Sequence, residues 1–278
     1  GWWTRPGFRI SSHAAVEWVN FQHNVGATNG QAGARIDRTD SLVRPFFNWN
    51  RRRTNPGPTG FEAGYKSLRL EHDLSGGVTV LVSPRTYVEG IVRLVRTRWD
   101  ADAIYQTSSL REKLNRDTVY SGASFGYAIT PLTSVGVAIE TQQDRFQFSP
   151  IRDGATVRLG PTVEFSRAAL LFGSAKIGYE RFRSPASGAA DFNGLFANVN
   201  LGFIIPDQLQ LKLLAGRDLQ YSYDSALAYY VATNVNLSAA RRLGERWDVA
   251  AFTGRYGLDF RPPGGLRSAR PHEVLVEF

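Results

Sequence analysis

The feature that most constrains the fold is a strict two-residue alternation of apolar and small or polar side chains over long runs. It is clearest between positions 191 and 221, DFNGLFANVNLGFIIPDQLQLKLLAGRDLQY, where Pro206 and Asp207 separate two such runs. The apolar side of the first run consists of Leu195, Ala197, Val199, Leu201, Phe203 and Ile205. Because successive side chains of a β-strand point to opposite faces, this period predicts two long, two-faced strands joined by a tight turn.

The same alternation recurs through the second half of the chain, in runs that begin near positions 119, 135, 157, 169, 227 and 247. Tight connections near 130–133, 165–168, 205–208 and 242–246 alternate with longer ones near 142–153, 183–191, 221–226 and 262–271. An up-and-down antiparallel sheet, with short turns at one rim and long loops at the other, has this rhythm.

The first half is less regular. A Gly-rich loop is expected over 26–40, and no helix longer than two turns is expected anywhere. The predicted strands of this half are Phe8–His23, Leu42–Trp49, Phe61–Leu74, Val78–Val82, Thr86–Trp99 and parts of Asp102–Leu114.

Two architectures use such strands: a soluble sandwich and a membrane barrel. The strands exceed the usual five or six residues of soluble proteins. Their second face is rich in Gly, Asn, Ser, Thr and Gln, which suits a crowded wet interior. In lipid every backbone donor and acceptor must be paired, so a sheet spans a membrane only when it closes. We therefore expect an all-β fold: a closed up-and-down antiparallel transmembrane β-barrel of about 14–16 strands, forming a single domain over 1–278.

Aromatic side chains near the strand ends fit this interpretation, because interfacial girdles of membrane barrels are built from them. The residues expected in such girdles are Tyr120, Phe125, Tyr127, Phe146, Phe148, Tyr179, Phe182, Tyr221, Tyr223, Tyr229, Tyr230, Tyr256 and Phe260.

The composition excludes several classes of site. The chain of 278 residues has no Cys, which excludes disulfides, thiolate metal sites and a Cys nucleophile. It has no Met either, so we expect a processed chain. No apolar run approaches the 18 or so residues of a transmembrane helix. The net charge is +8, and only four of the 33 basic residues are Lys. Arg suits confined sites and carboxylate or phosphate partners, although a high-GC genome would produce the same bias.

From about Val119 to Phe278 the chain resembles the putative outer-membrane β-barrel porin (type 2) family of Gram-negative bacteria. The segments that carry the likeness are FQFSPIRDGATVRLGPTVEFSRAALLFGSAKIGYERF and LKLLAGRDLQYSYDSALAYYVATNVNLSAARRLGERWDV. The resemblance implies an outer-membrane channel, and a similarity of some members to barrels that accompany exopolysaccharide export.

The C terminus is similar to the last strand of outer-membrane proteins. Phe278 ends the chain, with Val276 and Val274 on the same face. The resemblance implies recognition of Phe278 by the barrel assembly machinery. The family pattern is longer, so an even total such as sixteen strands is expected if one or two final strands are missing. Outer-membrane lipid, lipopolysaccharide and export or periplasmic proteins are the other expected partners.

Catalytic chemistry is weakly indicated. Gly122-Ala-Ser124-Phe-Gly126 matches the G-x-S-x-G elbow, but it lies inside an alternating strand instead of a strand–turn–helix unit. None of the four His residues has metal-ligand spacing. A barrel hydrolase using Ser124 and His13 is a distant alternative. Arg51-Arg52-Arg53 fits a solvated loop or phosphate contacts at the rim better than nucleic acid. We expect no enzyme activity, no cofactor, no metal and no nucleic-acid partner.

Charged residues on the predicted inner face are the candidate functional residues, together with Glu17 and Glu140. In one interpretation they pair across strands into a structural ladder. In the other, unpaired Arg, above all Arg158 and Arg255, favours anions in a passive channel for small or polymeric solutes. The alternative function is a plugged, non-conducting barrel that binds a partner protein or polysaccharide at its rim. The lumen candidates are Arg9, Arg158, Glu164, Lys176, Glu180, Lys212, Asp218 and Arg255.

Overall fold

The computed structural model describes residues 2–5, 7–21, 25–54, 68–105, 107–185, 191–205, 209–223, 229–243, 247–261 and 276–277. Fifteen strands form one antiparallel sheet, and neighbours in the sheet follow one another along the chain. A ribbon of two short strands, β7 and β8, stands apart from it. In chain order the strands are β1 (Trp2–Arg5), β2 (Phe8–Phe21), β3 (Val25–Arg38), β4 (Val43–Thr54), β5 (Arg69–Ser83), β6 (Thr86–Trp99), β7 (Ile104–Tyr105), β8 (Ser108–Ser109), β9 (Arg116–Thr130), β10 (Thr133–Phe146), β11 (Gly154–Phe165), β12 (Leu171–Arg183), β13 (Phe192–Ile205), β14 (Leu209–Tyr221), β15 (Tyr229–Leu243), β16 (Trp247–Arg261) and β17 (Val276–Glu277).

The up-and-down order and the rhythm of the connections are confirmed. Two-residue turns join β5 to β6 and β9 to β10, and the other connections on that side are similarly short. We call this side the short-turn rim. The opposite side, which we call the long-loop rim, carries the connections that follow β4, β6, β10, β12 and β14. The expected loop at 262–271 and Phe278 lie outside the described residues.

The sheet is strongly curved, and its polar face is the concave one. Tyr221 at the end of β14 donates from its hydroxyl to Asp144 Oδ2 in β10 at 2.9 Å, although the strands are four positions apart. The rings of Trp99 in β6 and Tyr223 lie 5.3 Å apart, across six positions. In a flat sheet these separations would be about 19 and 29 Å. Within the described residues β1 pairs only with β2, and β17 only with β16.

The convex face is largely apolar. Val137, Leu159 and Ile177 are diagonal neighbours on the successive strands β10, β11 and β12, and they are exposed. Leu237 on β15 is exposed on the same face. The concave face carries small, polar and charged side chains. This two-faced sheet is what the alternating sequence predicts.

Two predictions for the first half are wrong. Positions 26–40, expected as a loop, fall largely in β3, which pairs along its length with β2 and over eight residues with β4. The expected strands Phe61–Leu74 and Val78–Val82 are one strand, β5, from Arg69 onward, and 61–67 lie outside the described residues.

The connection between β6 and β9 also differs from the predicted strands. It contains the short ribbon and a one-turn helix, α1 (Leu110–Leu114), whose first turn is capped by Ser109 Oγ accepting from the Glu112 N–H. Helix α1 buries Leu110 and Leu114. No helix in the described part of the chain is long and apolar enough to cross a membrane.

Candidate functional site: the concave face and its mouth

Arg158 is the centre of the charged network on the concave face. Its guanidinium donates to Glu180 on the neighbouring strand β12, to Gln142 on β10 at 2.9 Å, and to Asp218 on β14 at 2.6 Å. The side chains of Arg158 and Glu180 are 11% and 1% exposed. A guanidinium with three partners of this kind is held in one orientation, and its charge is offset by two carboxylates.

Lys176 and Glu140 form a second ion pair, from β12 to β10. The strand between them, β11, carries Gly160 on the concave face between Arg158 and Thr162. The absence of a side chain at Gly160 leaves room for two side chains to meet over the middle strand. The charged side chains of β10–β12 on the concave face, which we call the wall, therefore pair across neighbouring and next-neighbouring strands.

Asp144 links this network to the end of the sheet. Its carboxylate is buried and accepts from Thr118 Oγ1 at 2.5 Å, Gln142 Nε2 at 2.7 Å and the Tyr221 hydroxyl at 2.9 Å. Arg116 lies 3.7 Å away. Gln142 thus connects Arg158 to Asp144, and Asp144 connects the wall to β14.

A cavity of about 640 Å³ lies on the concave face beside these pairs. Its lining mixes both charge signs with amides and small residues. The polar lining residues are Arg93, Tyr120, Ser121, Glu140, Gln142, Arg158, Lys176, Asn198, Asn200, Arg217, Asp218, Gln220 and Asn234. Such a lining suits water and polar solutes better than an apolar ligand.

An aromatic cap covers the concave face at the long-loop rim. Its contacts are edge-on or tilted ring pairs: Phe146 with Tyr221 at 4.7 Å, and Phe182 with Tyr229 at 5.0 Å between centroids. The buried members are Trp99, Ala103, Leu110, Leu114, Phe146, Phe182, Phe192, Leu219, Tyr221, Tyr229 and Val231, with Tyr105 and Tyr223 packed against them.

The cap forms because the β14–β15 hairpin leaves the plane of the sheet. Strand β13 pairs with β14 only from Ala197–Arg217 to Ile205–Leu209, so Asp218–Tyr221 have no partners on β13. The Arg217 guanidinium lies at this split and donates to the Leu195 carbonyl at 3.2 Å. Beyond it, the buried Arg152 donates to the Ser222 carbonyl at 2.5 Å and ties the hairpin end to the β10–β11 connection.

The remaining predicted lumen residues take several environments. Arg9 lies on the concave face and pairs with Asp37 at 2.9 Å, a carboxylate that Arg35 also contacts at 2.8 Å. Glu17 accepts from Asn29 at 3.2 Å. Glu164 and Lys212 face the same side near the short-turn rim, and neither forms a salt bridge with a described residue.

The prediction for Arg255 is wrong. Arg255 is the register partner of Val235, so it lies on the convex face with the apolar side chains. Its neighbour Tyr256 takes the concave side opposite Asn234, and its hydroxyl accepts from Asn236. Strand β16 carries large apolar residues on both faces, and so its polar residues do not reveal which side is wet.

The aromatic girdle is only partly confirmed. Phe125, Tyr127 and Tyr179 are exposed on the convex face, and Phe148 is exposed beyond β10. Other members face inward: Phe146, Phe182, Tyr221 and Tyr229 are buried in the cap, Tyr120 lines the cavity, and Tyr256 bonds Asn236.

The G-x-S-x-G segment is part of β9 and belongs to the wall. Gly122, Ser124 and Gly126 share the concave face, and a side chain at Gly126 would overlap the Tyr87 ring. His13 lies opposite Gly33 on β3. No group of His, Asp and Glu among the described residues has the arrangement of a metal site.

Sequence reasoning missed Gln142, Asp144, Arg152 and Tyr221 as parts of the site. The signal for two of them was present, because Glu140, Gln142 and Asp144 continue one period-two row. The connection predicted over 142–153 cuts this row after Glu140. The cap itself has no sequence signal of this kind.

The family comparison agrees with this geometry. The model of the family described as "Putative beta-barrel porin 2" matches residues 5–260. The chain belongs to this family. The match extends the resemblance from the second half to nearly the whole chain.

Two further comparisons add little. No curated protein matches the chain. Among solved structures, a point mutant of the ferric enterobactin receptor of Pseudomonas aeruginosa matches with a TM-score of 0.34 and 8% sequence identity. The match covers 92% of this chain and 54% of the receptor, so the chain spans about half the receptor's length.

Proposed function

We propose that the chain forms a single outer-membrane β-barrel domain that closes on itself and acts as a passive channel, without covalent chemistry. The observation that carries the proposal is the two-faced curved sheet. Its convex face offers apolar side chains to lipid, and its concave face encloses a polar cavity. Membership of a β-barrel porin family supports it. On this proposal the long-loop rim faces the cell exterior, as in other outer-membrane barrels.

The solute class that fits the wall best is small and polar, of either charge sign. Arg158 and Lys176 are each paired with carboxylates, so neither supplies the unpaired positive charge that anion selection needs. Passage of anionic polymers or a link to polysaccharide export draws no support from these two residues.

The aromatic cap favours a second candidate function, a barrel that does not conduct and binds a partner at the long-loop rim. The cap lies over the concave face at this rim. The hydrogen bond from Arg152 to the Ser222 carbonyl anchors the cap to the β10–β11 connection. In the channel proposal the cap is a removable constriction. In the second candidate it is a permanent plug.

Single-channel conductance in planar bilayers separates the two candidates, after a heat-dependent gel shift has shown a folded barrel. We expect steady conductance from the channel, and a larger value for Tyr221→Ala, which removes a cap ring and its bond to Asp144. The matched control is Tyr179→Ala on the exposed convex face, which should leave conductance unchanged. A folded Tyr221→Ala barrel that conducts nothing would exclude the channel and favour the plugged barrel.

A further inference from the structure

The convex face carries a row of charged side chains across five neighbouring strands near the long-loop rim. Arg51 is the register partner of His72, His72 of Arg96, Arg96 of Asp117, and Asp117 of Arg145. These residues therefore lie side by side at one height on the sheet. The row spans four strand spacings, about 19 Å.

A second pair of arginines extends this row towards the rim. Arg53 and Arg98 are both register partners of Leu70, one side-chain period above the row. Arg96 and Arg98 contact the same carboxylate, Asp117, at 3.3 and 2.6 Å. The side chain of Arg96 remains 63% exposed. We call Arg51, Arg53, Arg96, Arg98 and Arg145 the arginine patch, and Asp117 is the one carboxylate within the row.

Directly below the row lies an apolar row of exposed side chains. Trp49, Leu74, Leu94 and Val119 are register partners in sequence, each two residues from a member of the charged row. A shallow cavity of about 640 Å³ runs between the two rows. Its outward-facing lining includes Trp49, Leu70, His72, Leu74, Leu94, Arg96, Arg98, Asp117 and Val119.

We propose that this groove binds a lipid that carries phosphate, with the acyl chains over the apolar row and the phosphate on the arginine patch. The planar guanidinium of arginine matches the geometry of phosphate oxygens. Its attraction to phosphate is strongest at the boundary of the apolar layer. A row this wide exceeds one phosphate group, so the occupant is a glycolipid with more than one phosphate, of the lipid A type. The inference rests on the proposed function, because only a membrane-embedded convex face meets lipid.

The test measures lipid affinity of the full-length refolded protein in detergent, by native mass spectrometry at several lipid concentrations. The probes are diphosphoryl lipid A, monophosphoryl lipid A and phosphatidylglycerol. Replacing two arginines in Arg96→Gln/Arg98→Gln should weaken diphosphoryl lipid A binding about thirtyfold. Asp117→Asn removes the competing carboxylate and should strengthen the binding. The matched control is Arg241→Gln, an outward arginine paired with Val249 near the short-turn rim, which should change nothing.

The affinities should fall from diphosphoryl to monophosphoryl lipid A and then to phosphatidylglycerol. Equal affinity for phosphatidylglycerol would overturn the glycolipid assignment. Unchanged binding in Arg96→Gln/Arg98→Gln, or an equal loss in Arg241→Gln, would overturn the site. A barrel that binds lipid as expected but does not conduct would overturn only the proposal that the barrel is a channel. A protein that never inserts into bilayers would overturn both the channel proposal and the lipid-site proposal.

Discussion

Arg158 makes the charged wall depend on a single side chain. Arg158→Met would leave the buried Glu180 carboxylate without its cation. Breaking a buried ion pair from one side typically costs about 3–5 kcal/mol, because the remaining charge is left uncompensated. We expect a loss of this size in the free energy of unfolding, measured by urea titration with tryptophan fluorescence in lipid vesicles.

Adding Glu180→Gln to Arg158→Met should recover much of this loss, because it removes the stranded charge. The matched control is Arg9→Met. The Arg9 side chain is 55% exposed, and its partner Asp37 keeps Arg35 at 2.8 Å. This variant should lose no more than about 1 kcal/mol. Equal losses for Arg158→Met and Arg9→Met would show that burial does not distinguish the two pairs.

The pair of Lys176 and Glu140 predicts how the channel responds to a change in wall charge. Glu140→Gln leaves Lys176 unpaired beside the cavity, and Lys176→Met leaves Glu140 unpaired. The first should shift the permeability ratio towards anions and the second towards cations. One unpaired charge a few ångströms away is worth about 1 kcal/mol even in water, which corresponds to about fivefold.

Reversal potentials in a salt gradient, in bilayers of neutral lipid, measure these shifts. Asp117→Asn removes a carboxylate from the convex face and should leave the reversal potential unchanged. Shifts of the same sign in Glu140→Gln and Lys176→Met would contradict an ion pathway along this wall.

The close approach of β11 and β12 depends on two glycines. A Cβ at Gly160 would lie 2.3 Å from the Ile177 carbonyl oxygen, and one at Gly178 would lie 2.2 Å from the Leu159 oxygen. Both obstacles are backbone atoms that cannot rotate away. The same urea titration should therefore show that Gly160→Ala lowers the free energy of unfolding by about 1–3 kcal/mol.

Gly90 on β6 provides the comparison, because a Cβ there meets nothing within 4 Å. Gly90→Ala should be neutral, or stabilising by about 0.4–1 kcal/mol through the unfolded chain. A loss at Gly90 as large as that at Gly160 would mean that strand flexibility matters here more than the contact between strands.

The contrast between the two faces of a strand determines whether the sequence predicts it. Strands β9–β15 have one apolar face and one small or polar face, so period-two alternation located them. Strand β3 lacks that contrast, since six of its 14 residues are Gly or Ala, and it becomes a strand because β2 and β4 supply partners for its backbone. Arg255 was misplaced because β16 is apolar on both sides. The local sequence pattern does not predict structure that depends on pairing between strands or on packing.

The cap belongs to the whole molecule, and no local pattern could reveal it. Its rings come from β6, β10, β12, β13, β14 and β15 and from the connection that holds α1, so they meet only after the sheet has curved. From the sequence alone, every aromatic residue near a strand end fits an interfacial girdle equally well. The departure of the β14–β15 hairpin from the sheet, which brings Tyr221 to Asp144, decides which rings turn inward.

Because the cap lies over the concave face, we expect conduction to require movement of the β14–β15 hairpin end. Arg152 and Ser222 are joined by a 2.5 Å hydrogen bond, and the chain has no native Cys. Both positions are buried, so the cysteines of Arg152→Cys/Ser222→Cys are joined by a cleavable bis-maleimide linker before refolding, without side reactions at other thiols. The linked barrel should show a smaller single-channel conductance, restored when the linker is cleaved. Each single-cysteine variant treated with the same reagent controls for the adduct alone. Conductance that is the same in linked and cleaved protein would mean that ions pass without movement of the cap, and the constriction would then have to be sought along the wall beside Arg158.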